Sequence, residues 1–191
     1  GGLSRTSNGY EVQTTRGTFR ALRIVNAAGA EAGRIAGMLG IKLDVAGYPI
    51  QVSVTEPVEP LIPHLVYYTR EKLTLKQTAL GTLLIGGGWP AQLDSEGRPT
   101  VDLTSFRRNL AVALEVVPAL APIHVVRAWA AIVNGTDDWK PIIGEMPSAP
   151  GFYVNFFPWL GFTGGPLGAR MIADLIVGRA NPAHLAKAIA S

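Results

Sequence analysis

The sequence lacks cysteine altogether, and charged residues make up only 16% of its 191 residues. Without cysteine there can be no disulfide, no thiolate metal site and no cysteine nucleophile. No apolar run reaches the roughly 18 residues that a membrane-spanning helix needs, and no basic run is longer than Arg107-Arg108. We therefore expect no nucleic-acid surface and a cytoplasmic protein, with any membrane association made only through partner subunits.

Motifs of metal, acid–base and nucleotide chemistry are also missing. His64, His124 and His184 do not have the spacing of metal ligands, which favours a structural or exposed position for each, so no metal site is expected. The sequence contains no nucleophile elbow, P-loop or paired carboxylates. A GxGxxG fingerprint, which holds the pyrophosphate of a dinucleotide, does not occur in the 191 residues either.

The sequence is rich in apolar residues, at 48%, and this predicts a large buried core or an extensive interface. Alternating apolar residues predict a hairpin at 10–23 and strands at 48–56, 65–68, 73–77, 82–86, 123–132 and 152–156. Helical spacing predicts helices at about 31–39, 103–117 and 166–178. Several strands in succession indicate an antiparallel sheet, so the predicted fold class is α/β or mixed α+β.

The strongest local pattern is the glycine-rich segment 159–166, WLGFTGGP, followed by an apolar helix. Glycines let the backbone approach a ligand, and a helix start supplies unpaired N–H groups with partial positive charge. We expect Pro166 in the first turn of this helix and Gly178 just past its end. The segment suits a flat, negatively charged group, and a helix entry without a ligand is an equally favoured alternative.

Two weaker patterns have a structural and a functional interpretation each. Ala27-Ala28-Gly29 follows a short strand and permits a cofactor to approach, although tight packing of strand and helix is the favoured interpretation. Arg127 and Trp129 alternate onto one face of a strand, where an arginine needs a carboxylate, a carbonyl or a ligand as its partner. There an ion pair is slightly favoured over a ligand contact.

Taken together, these segments resemble the D-amino-acid oxidase superfamily of flavoproteins. Four stretches match in the family's order and cover nearly the whole chain, namely 9–30 with VNAAGA, 77–87 ending in IGG, 127–144 with RAWA and PIIG, and 152–166 with FYVN and the glycine-rich segment. Within the superfamily the chain is most similar to the group of glycine oxidase, sarcosine oxidase β, dye-linked proline dehydrogenase β, opine oxidase and hydrogen cyanide synthase. The resemblance identifies the chain as the C-terminal part of such a protein.

The resemblance implies an FAD-binding Rossmann-like domain interleaved with an antiparallel-sheet substrate domain. Residues 1–45 and 131–191 would belong to the FAD-binding domain, and residues 46–130 to the substrate domain. It further implies that FAD is bound by eight residues: Ala27, Ala28, Gly29, Trp159, Leu160, Gly161, Phe162 and Thr163. The last five would line the pyrimidine end of the isoalloxazine ring.

Two departures from the family pattern matter. Because the GxGxxG fingerprint is missing, FAD binding is expected to need an N-terminal segment or a partner subunit. The family's two substrate-carboxylate arginines are matched by Val133 and Trp159, and the flavin-contacting lysine of sarcosine oxidases by Thr163. Three side chains are candidates for replacing the carboxylate contact: Arg127, Tyr67 and Tyr68.

The function implied by the resemblance is oxidation of the Cα–N bond of an amine or amino acid by hydride transfer to FAD. In this family the protein mainly orients the substrate C–H bond over the flavin, so no acid–base residue need be present. The alternative is a non-catalytic fragment or assembly subunit that lacks the dinucleotide-binding segment and does not bind FAD by itself.

Overall fold

A computed structural model describes residues 1–179, so His184 and the end of the predicted domain 131–191 lie outside the described residues. The chain divides into two compact units, one made of Gly1–Gly47 with the chain from Val133 onward, the other of Tyr48–Ile132. Each unit has its own sheets and its own core, and each is described by itself.

The described residues form thirteen strands and three α-helices. In chain order they are β1 (Gly2–Thr6), β2 (Gly9–Thr14), β3 (Gly17–Ala21), β4 (Ile24–Asn26), α1 (Ala32–Gly37), β5 (Ala46–Pro57), β6 (Val66–Tyr68), β7 (Leu73–Gln77), β8 (Thr82–Pro90), β9 (Gln92–Leu93), β10 (Pro99–Thr100), α2 (Leu103–Val116), β11 (Val125–Gly135), β12 (Ile142–Glu145), β13 (Phe152–Phe156) and α3 (Gly161–Ile176). The predicted strand 152–156 is confirmed in full.

The first unit contains two three-stranded sheets. Strands β1, β2 and β3 form an antiparallel meander, and the second sheet has the order β12-β13-β4, with β13 antiparallel to β12 and parallel to β4. Tyr10 and Phe152 are among the most deeply buried residues of a core that includes part of α1. The Tyr10 hydroxyl group donates to the carbonyl oxygens of Ala149 and Pro150, at 3.1 and 2.8 Å. These hydrogen bonds attach the meander to the loop that leads into β13.

The second unit is a five-stranded sheet covered by α2. Its strand order is β11-β5-β8-β7-β6, and β5, β8, β7 and β6 pair with their neighbours in antiparallel fashion. Val112 and Ala113 of α2 are buried against Leu73, Leu75 and Leu83 of the sheet. The antiparallel sheet predicted for the middle of the chain is therefore confirmed.

Asp102 caps the N-terminus of α2. Its Oδ1 accepts the backbone N–H groups of Thr104 and Ser105, at 2.8 and 3.0 Å. The backbone of Asp102 exchanges two hydrogen bonds with the side chain of Gln51 on β5, which fixes the helix start over the sheet. The N–H of Ser105, and after it the side chain of Gln92, lower the pKa of the Asp102 carboxyl group.

Helix α3 begins at Gly161, five residues before the predicted start, so Pro166 lies inside the helix and the prediction of its first-turn position was wrong. A β-carbon on Gly164 would overlap the ring of Phe157, and one on Gly168 would overlap the side chain of Asn155. These two glycines let the helix lie close against the chain at and just after β13. Glycines have a low helix propensity and would favour a bend here. Tertiary packing overrides this preference and extends the helix through them.

We expect Asp102→Ala to lower the midpoint of thermal unfolding at neutral pH, because the N–H groups of Thr104 and Ser105 lose their acceptor. A carboxyl group whose folded-state pKa is lowered stabilises above its unfolded pKa, and this contribution is lost as the pH falls through the folded-state pKa. The gap between wild type and variant should therefore narrow below about pH 4. Asp102→Asn, which keeps an acceptor, should have a smaller effect. A gap that stays constant into acid would contradict the capping role.

We expect Gly164→Ala to lower the free energy of unfolding by about 1–3 kcal/mol, because the added methyl group forces the Phe157 ring out of its place. Gly165→Ala is the matched control, since a β-carbon there meets nothing within 4 Å. It should be neutral or stabilise by up to about 1 kcal/mol, as alanine is the better helix former. Urea unfolding of both variants measures the difference, and equal effects would be inconsistent with the packing described.

Candidate functional site

Asn26 shapes the turn that leaves β4. This buried side chain donates from Nδ2 to the carbonyl oxygen of Ala32 at 2.9 Å and accepts the N–H of Ala28 at Oδ1, at 3.3 Å. Gly29 follows with a φ of +57°, in the left-handed region. Ala27 and Ala28 are exposed and Gly29 is half-buried, so the turn presents small side chains and backbone at the surface.

Asn134, near the end of β11, lies beside this turn and is bonded to the chain at the glycine-rich segment. Its carbonyl oxygen accepts the N–H of Trp159 at 3.0 Å, and its Nδ2 donates to the carbonyl oxygen of Phe157, also at 3.0 Å. A β-carbon on Gly29 would lie 3.9 Å from the same Nδ2. The turn at 27–29 and the segment 159–163 are therefore neighbours, with Asn134 between them.

The start of α3 is an exposed, apolar surface. Trp159 is 45% exposed, Leu160 59% and Phe162 99%, and Gly161 and Thr163 are exposed as well. A β-carbon on Gly161 would meet nothing within 4 Å. Within residues 1–179 the N–H groups of Gly161 and Phe162 have no acceptor, so this end of the helix carries partial positive charge.

Trp139 and Trp159 contact each other with strained backbones. Their ring centroids are 6.5 Å apart in an edge-to-face arrangement at 78°. Their φ angles are +56° and +58°, and Lys72 is the only other non-glycine residue with positive φ in the described chain. The left-handed conformation costs roughly 1–2 kcal/mol per residue, whereas an edge-to-face pair contributes about 0.5–1.5 kcal/mol. Their mutual contact thus offsets only part of the cost.

The turn that carries Trp139 also carries carboxylates. Asp138 accepts the backbone N–H of Lys140 at 3.0 Å, and its Oδ2 lies 2.9 Å from the Lys140 Nζ. The hydrogen bond from the Lys140 side chain, and then that from its backbone, lower the pKa of Asp138, so this group is ionised at neutral pH. Hydrogen bonding to Asp44 chiefly raises the pKa of Lys42, and the charge of Asp137 adds to it.

The three substrate candidates lie in the other unit and do not form one site. Tyr67, which is 66% exposed, and Tyr68 are on β6, whereas Arg127 is on β11. These strands are opposite edges of the five-stranded sheet, which places them about 19 Å apart at ~4.8 Å per strand. The guanidinium carbon of Arg127 lies 5.8 Å from the ring centroid of Trp129. The ion pair favoured for Arg127 is not formed within the described residues, and a cation–π contact takes its place.

Other classes of site receive no support from the described part of the chain. His64 is exposed, and His124 places its Nδ1 2.7 Å from Glu56 Oε1. Among residues 1–179, no three acidic or histidine side chains are grouped as metal ligands would be. None of the helices in that part is both long enough and apolar enough to cross a membrane.

Sequence reasoning did not single out Asn26 or Asn134. Each is a lone amide at the end of an apolar strand, followed at once by small residues, in Asn26-Ala27-Ala28 and in Asn134-Gly135. Asparagine favours such positions because its short side chain can bond to nearby backbone. That pattern could have indicated two turn-forming residues, but not that the two turns are neighbours in the fold.

Comparison with known proteins assigns the family. The chain belongs to the FAD dependent oxidoreductases of the D-amino-acid oxidase family, which match it over residues 2–175. The resemblance inferred from the sequence is thereby confirmed.

Individual relatives agree with this assignment. The chain is 31% identical to sarcosine oxidase subunit beta of Arthrobacter sp over 144 residues, which are 75% of this chain and 35% of that protein. It is 29% identical to glycine oxidase of Pseudomonas aeruginosa over 170 residues, which are 88% of this chain and 45% of that protein. The fold superposes on glycine oxidase from Geobacillus kaustophilus with a TM-score of 0.82 at 24% identity, covering 100% of this chain and 50% of that one. The chain thus spans half or less of the length of the proteins that it matches.

We expect Asn134→Ala to lower the free energy of unfolding by about 1 kcal/mol, because the Phe157 carbonyl oxygen loses its donor. The same change should shift the indole N–H resonance of Trp159, because the Phe157 carbonyl group that loses its donor lies two residues before Trp159. The hydrogen bond from Trp159 N–H to the Asn134 carbonyl oxygen is kept in this variant. Asn8→Ala, at an exposed turn of the same unit, is the control and should leave that resonance in place. If Asn134→Ala moved the Trp159 resonance no more than Asn8→Ala does, Asn134 would not be the link between the two segments.

Proposed function

We propose that this chain is the flavin-facing, C-terminal part of an FAD-dependent oxidoreductase that oxidises the Cα–N bond of an amine or amino acid. The observation that carries the proposal is the pairing, through Asn134, of the small-residue turn at 27–29 with the glycine-rich start of α3. Both segments match the family's flavin-contacting strings, and both present exposed backbone. Membership of the FAD dependent oxidoreductase family supports the cofactor.

The residues fit a planar, electron-rich group. Ala27, Ala28 and Gly29 would let the cofactor approach the backbone, and open space lies where a β-carbon of Gly161 would be. Residues 159–163 would line the pyrimidine end of the ring. FAD, when bound, supplies the acceptor for the two electrons of the hydride. The free N–H groups at the start of α3 would stabilise negative charge on the reduced ring.

The chain alone does not supply every part of such a cofactor site. It contains no GxGxxG fingerprint for the pyrophosphate and covers 35–45% of the two relatives described above. We infer that an N-terminal segment or a partner subunit holds the phosphate end of FAD. One of those relatives is itself named as a subunit, which supports a multi-chain enzyme.

The alternative is a non-catalytic fragment or assembly subunit. It is favoured by one observation, the absence of the fingerprint from all 191 residues. The two proposals differ in whether the chain contributes to flavin binding at all. The direct comparison is the visible spectrum of the chain purified together with the N-terminal segment or partner subunit that holds the phosphate end of FAD.

We expect Gly161→Val to weaken FAD binding at least about tenfold, because the branched valine side chain would occupy the space that the isoalloxazine ring needs. Gly165→Val is the matched control, since its β-carbon also meets nothing within 4 Å. It should bind flavin as the wild type does. Titration with FAD of the chain together with the N-terminal segment or partner subunit that holds the phosphate end, followed by quenching of flavin fluorescence, measures the affinities.

Two outcomes count against the assignment. Equal affinity of wild type and Gly161→Val would remove Gly161 from the ring contact. A wild-type chain that leaves FAD binding by that segment or subunit unchanged would favour the non-catalytic alternative. Circular dichroism of each variant verifies that the fold is retained.

A further inference from the structure

Strand β3 (Gly17–Ala21) is an edge of the meander that it forms with β1 and β2. It pairs with β2 on one side, and no other strand within residues 1–179 pairs with it. In an antiparallel ladder, alternate residues turn their backbone N–H and C=O groups away from the paired neighbour. The outer edge of β3 therefore presents backbone groups to which another extended chain can bond.

The side chains of β3 are exposed along almost its whole length. Only Ala21 is half-buried, and the core of the first unit, as the described residues form it, contains no residue of this strand. Phe19 is 57% exposed, and Leu22, directly after the strand, is 72% exposed. Aromatic side chains and arginine are enriched in protein interfaces. The edge of β3 thus combines accessible backbone with apolar surface that the unit itself does not bury.

The excess positive charge of the chain belongs to this meander and the few residues after it. Residues 1–25 contain four arginines, no lysine and one acidic residue, Glu11, whereas residues 26–191 contain thirteen basic and thirteen acidic residues. Arg20 Nε lies 3.0 Å from Glu11 Oε2. Arg16 and Arg23, on either side of β3, have no carboxylate partner among the residues that the structure describes. The charge of β3 and its flanks therefore favours a partner with carboxylates.

Charge and chemistry disfavour two other occupants of this edge. A second copy of β3 would bring arginines against arginines, because residues 12–30 contain no acidic residue. Charged side chains on an edge strand discourage such pairing between copies. A nucleic acid or a free oxyanion would neutralise the arginines but would not bond to the backbone edge as a strand does. An extended protein segment with carboxylates meets all three features, the edge, the apolar surface and the charge.

We propose that β3 binds an acidic, extended segment of a partner protein by strand addition. The segment would continue the meander as a fourth strand, bonded to the outer edge of β3. Side chains alternate across a strand, so Thr18 and Arg20 share one face and Phe19 and Ala21 the other. The complementary segment places a carboxylate opposite Arg20 and an apolar side chain opposite Phe19. This surface uses no residue of the candidate flavin site, so the proposal stands whether or not the chain binds FAD.

The probe is the peptide acetyl-Glu-Val-Glu-Val-Glu-amide, titrated into the whole chain while nuclear magnetic resonance follows the backbone amide signals. Acetyl-Lys-Val-Lys-Val-Lys-amide reverses the charge, and acetyl-Glu-Pro-Glu-Pro-Glu-amide keeps the carboxylates but lacks two of the N–H donors of a ladder. We expect saturable shifts at residues 17–21 with the acidic valine peptide, and binding at least about tenfold weaker with either control. Hydrogen exchange of alternate amides in β3 should slow at saturation, because the added strand accepts their hydrogen bonds.

Variants test the assignment to β3. Arg23→Glu, at an arginine without a carboxylate partner in the described chain, should weaken peptide binding about tenfold, and Phe19→Ser about two- to fivefold. The matched controls lie in the other unit and should leave binding unchanged: Arg70→Glu at an exposed arginine, and Leu80→Ser at a leucine that is 84% exposed. Circular dichroism establishes that each variant folds.

Four results would overturn the proposal. No saturable shift at residues 17–21 would remove the site. Equal binding of the proline peptide would show a plain anion-binding surface, open to any polyanion. Equal effects of the β3 variants and their controls would place the contact elsewhere. A dimer in analytical ultracentrifugation that Phe19→Ser dissociates would assign the edge to a second copy of the chain.

Discussion

Close packing of α3 against β13 is the constraint on which the candidate site depends. Gly164 and Gly168 have no side chain, and the ring of Phe157 and the side chain of Asn155 occupy the space where β-carbons would be. Since the helix cannot move away without opening this contact, its first turn is fixed just beyond the end of the strand. Gly161 and Gly165 of the same segment border open space. The glycine-rich segment thus serves both helix–strand packing and access to the backbone. Its composition does not show which glycine serves which purpose.

Much of the fold follows from alternation and helical spacing. The strand at 152–156, the antiparallel sheet of the middle region and helix α2 were all predictable, because each is encoded by a local pattern of apolar residues. The start of α3 was not. A run containing three glycines in five residues disfavours a helix by its local propensity, and packing of the helix against Phe157 and Asn155 reverses that preference. A prediction limited to local pattern therefore favoured a bend.

The sequence predicts the segments of the candidate site but not how these segments are arranged in space. Its linking contacts join residues far apart in sequence, with Asn134 bonded to Phe157 and to Trp159, and Trp139 in contact with Trp159. Left-handed backbone at a tryptophan has no sequence signature, because such residues adopt it only when tertiary contacts enforce it. For Arg127 the sequence predicts the need for a partner but not which partner it has. The sequence correctly indicates that it needs a partner, but the choice of the Trp129 ring over a carboxylate is set by which side chains the sheet brings alongside.

The phenylalanines of β13 are buried, whereas the start of α3 exposes apolar side chains. Phe152 and Phe156 are fully buried, whereas Phe162 is 99% exposed and Leu160 59%. Burying a phenylalanine stabilises a fold by roughly 1.5–3 kcal/mol, so an exposed one beside other exposed apolar residues marks a surface that a ligand or partner covers. A flavin ring and the remaining part of the relatives' fold both meet that requirement, and in the proposed enzyme they would cover neighbouring parts of it. In the proposed enzyme this surface would therefore be half of a binding site.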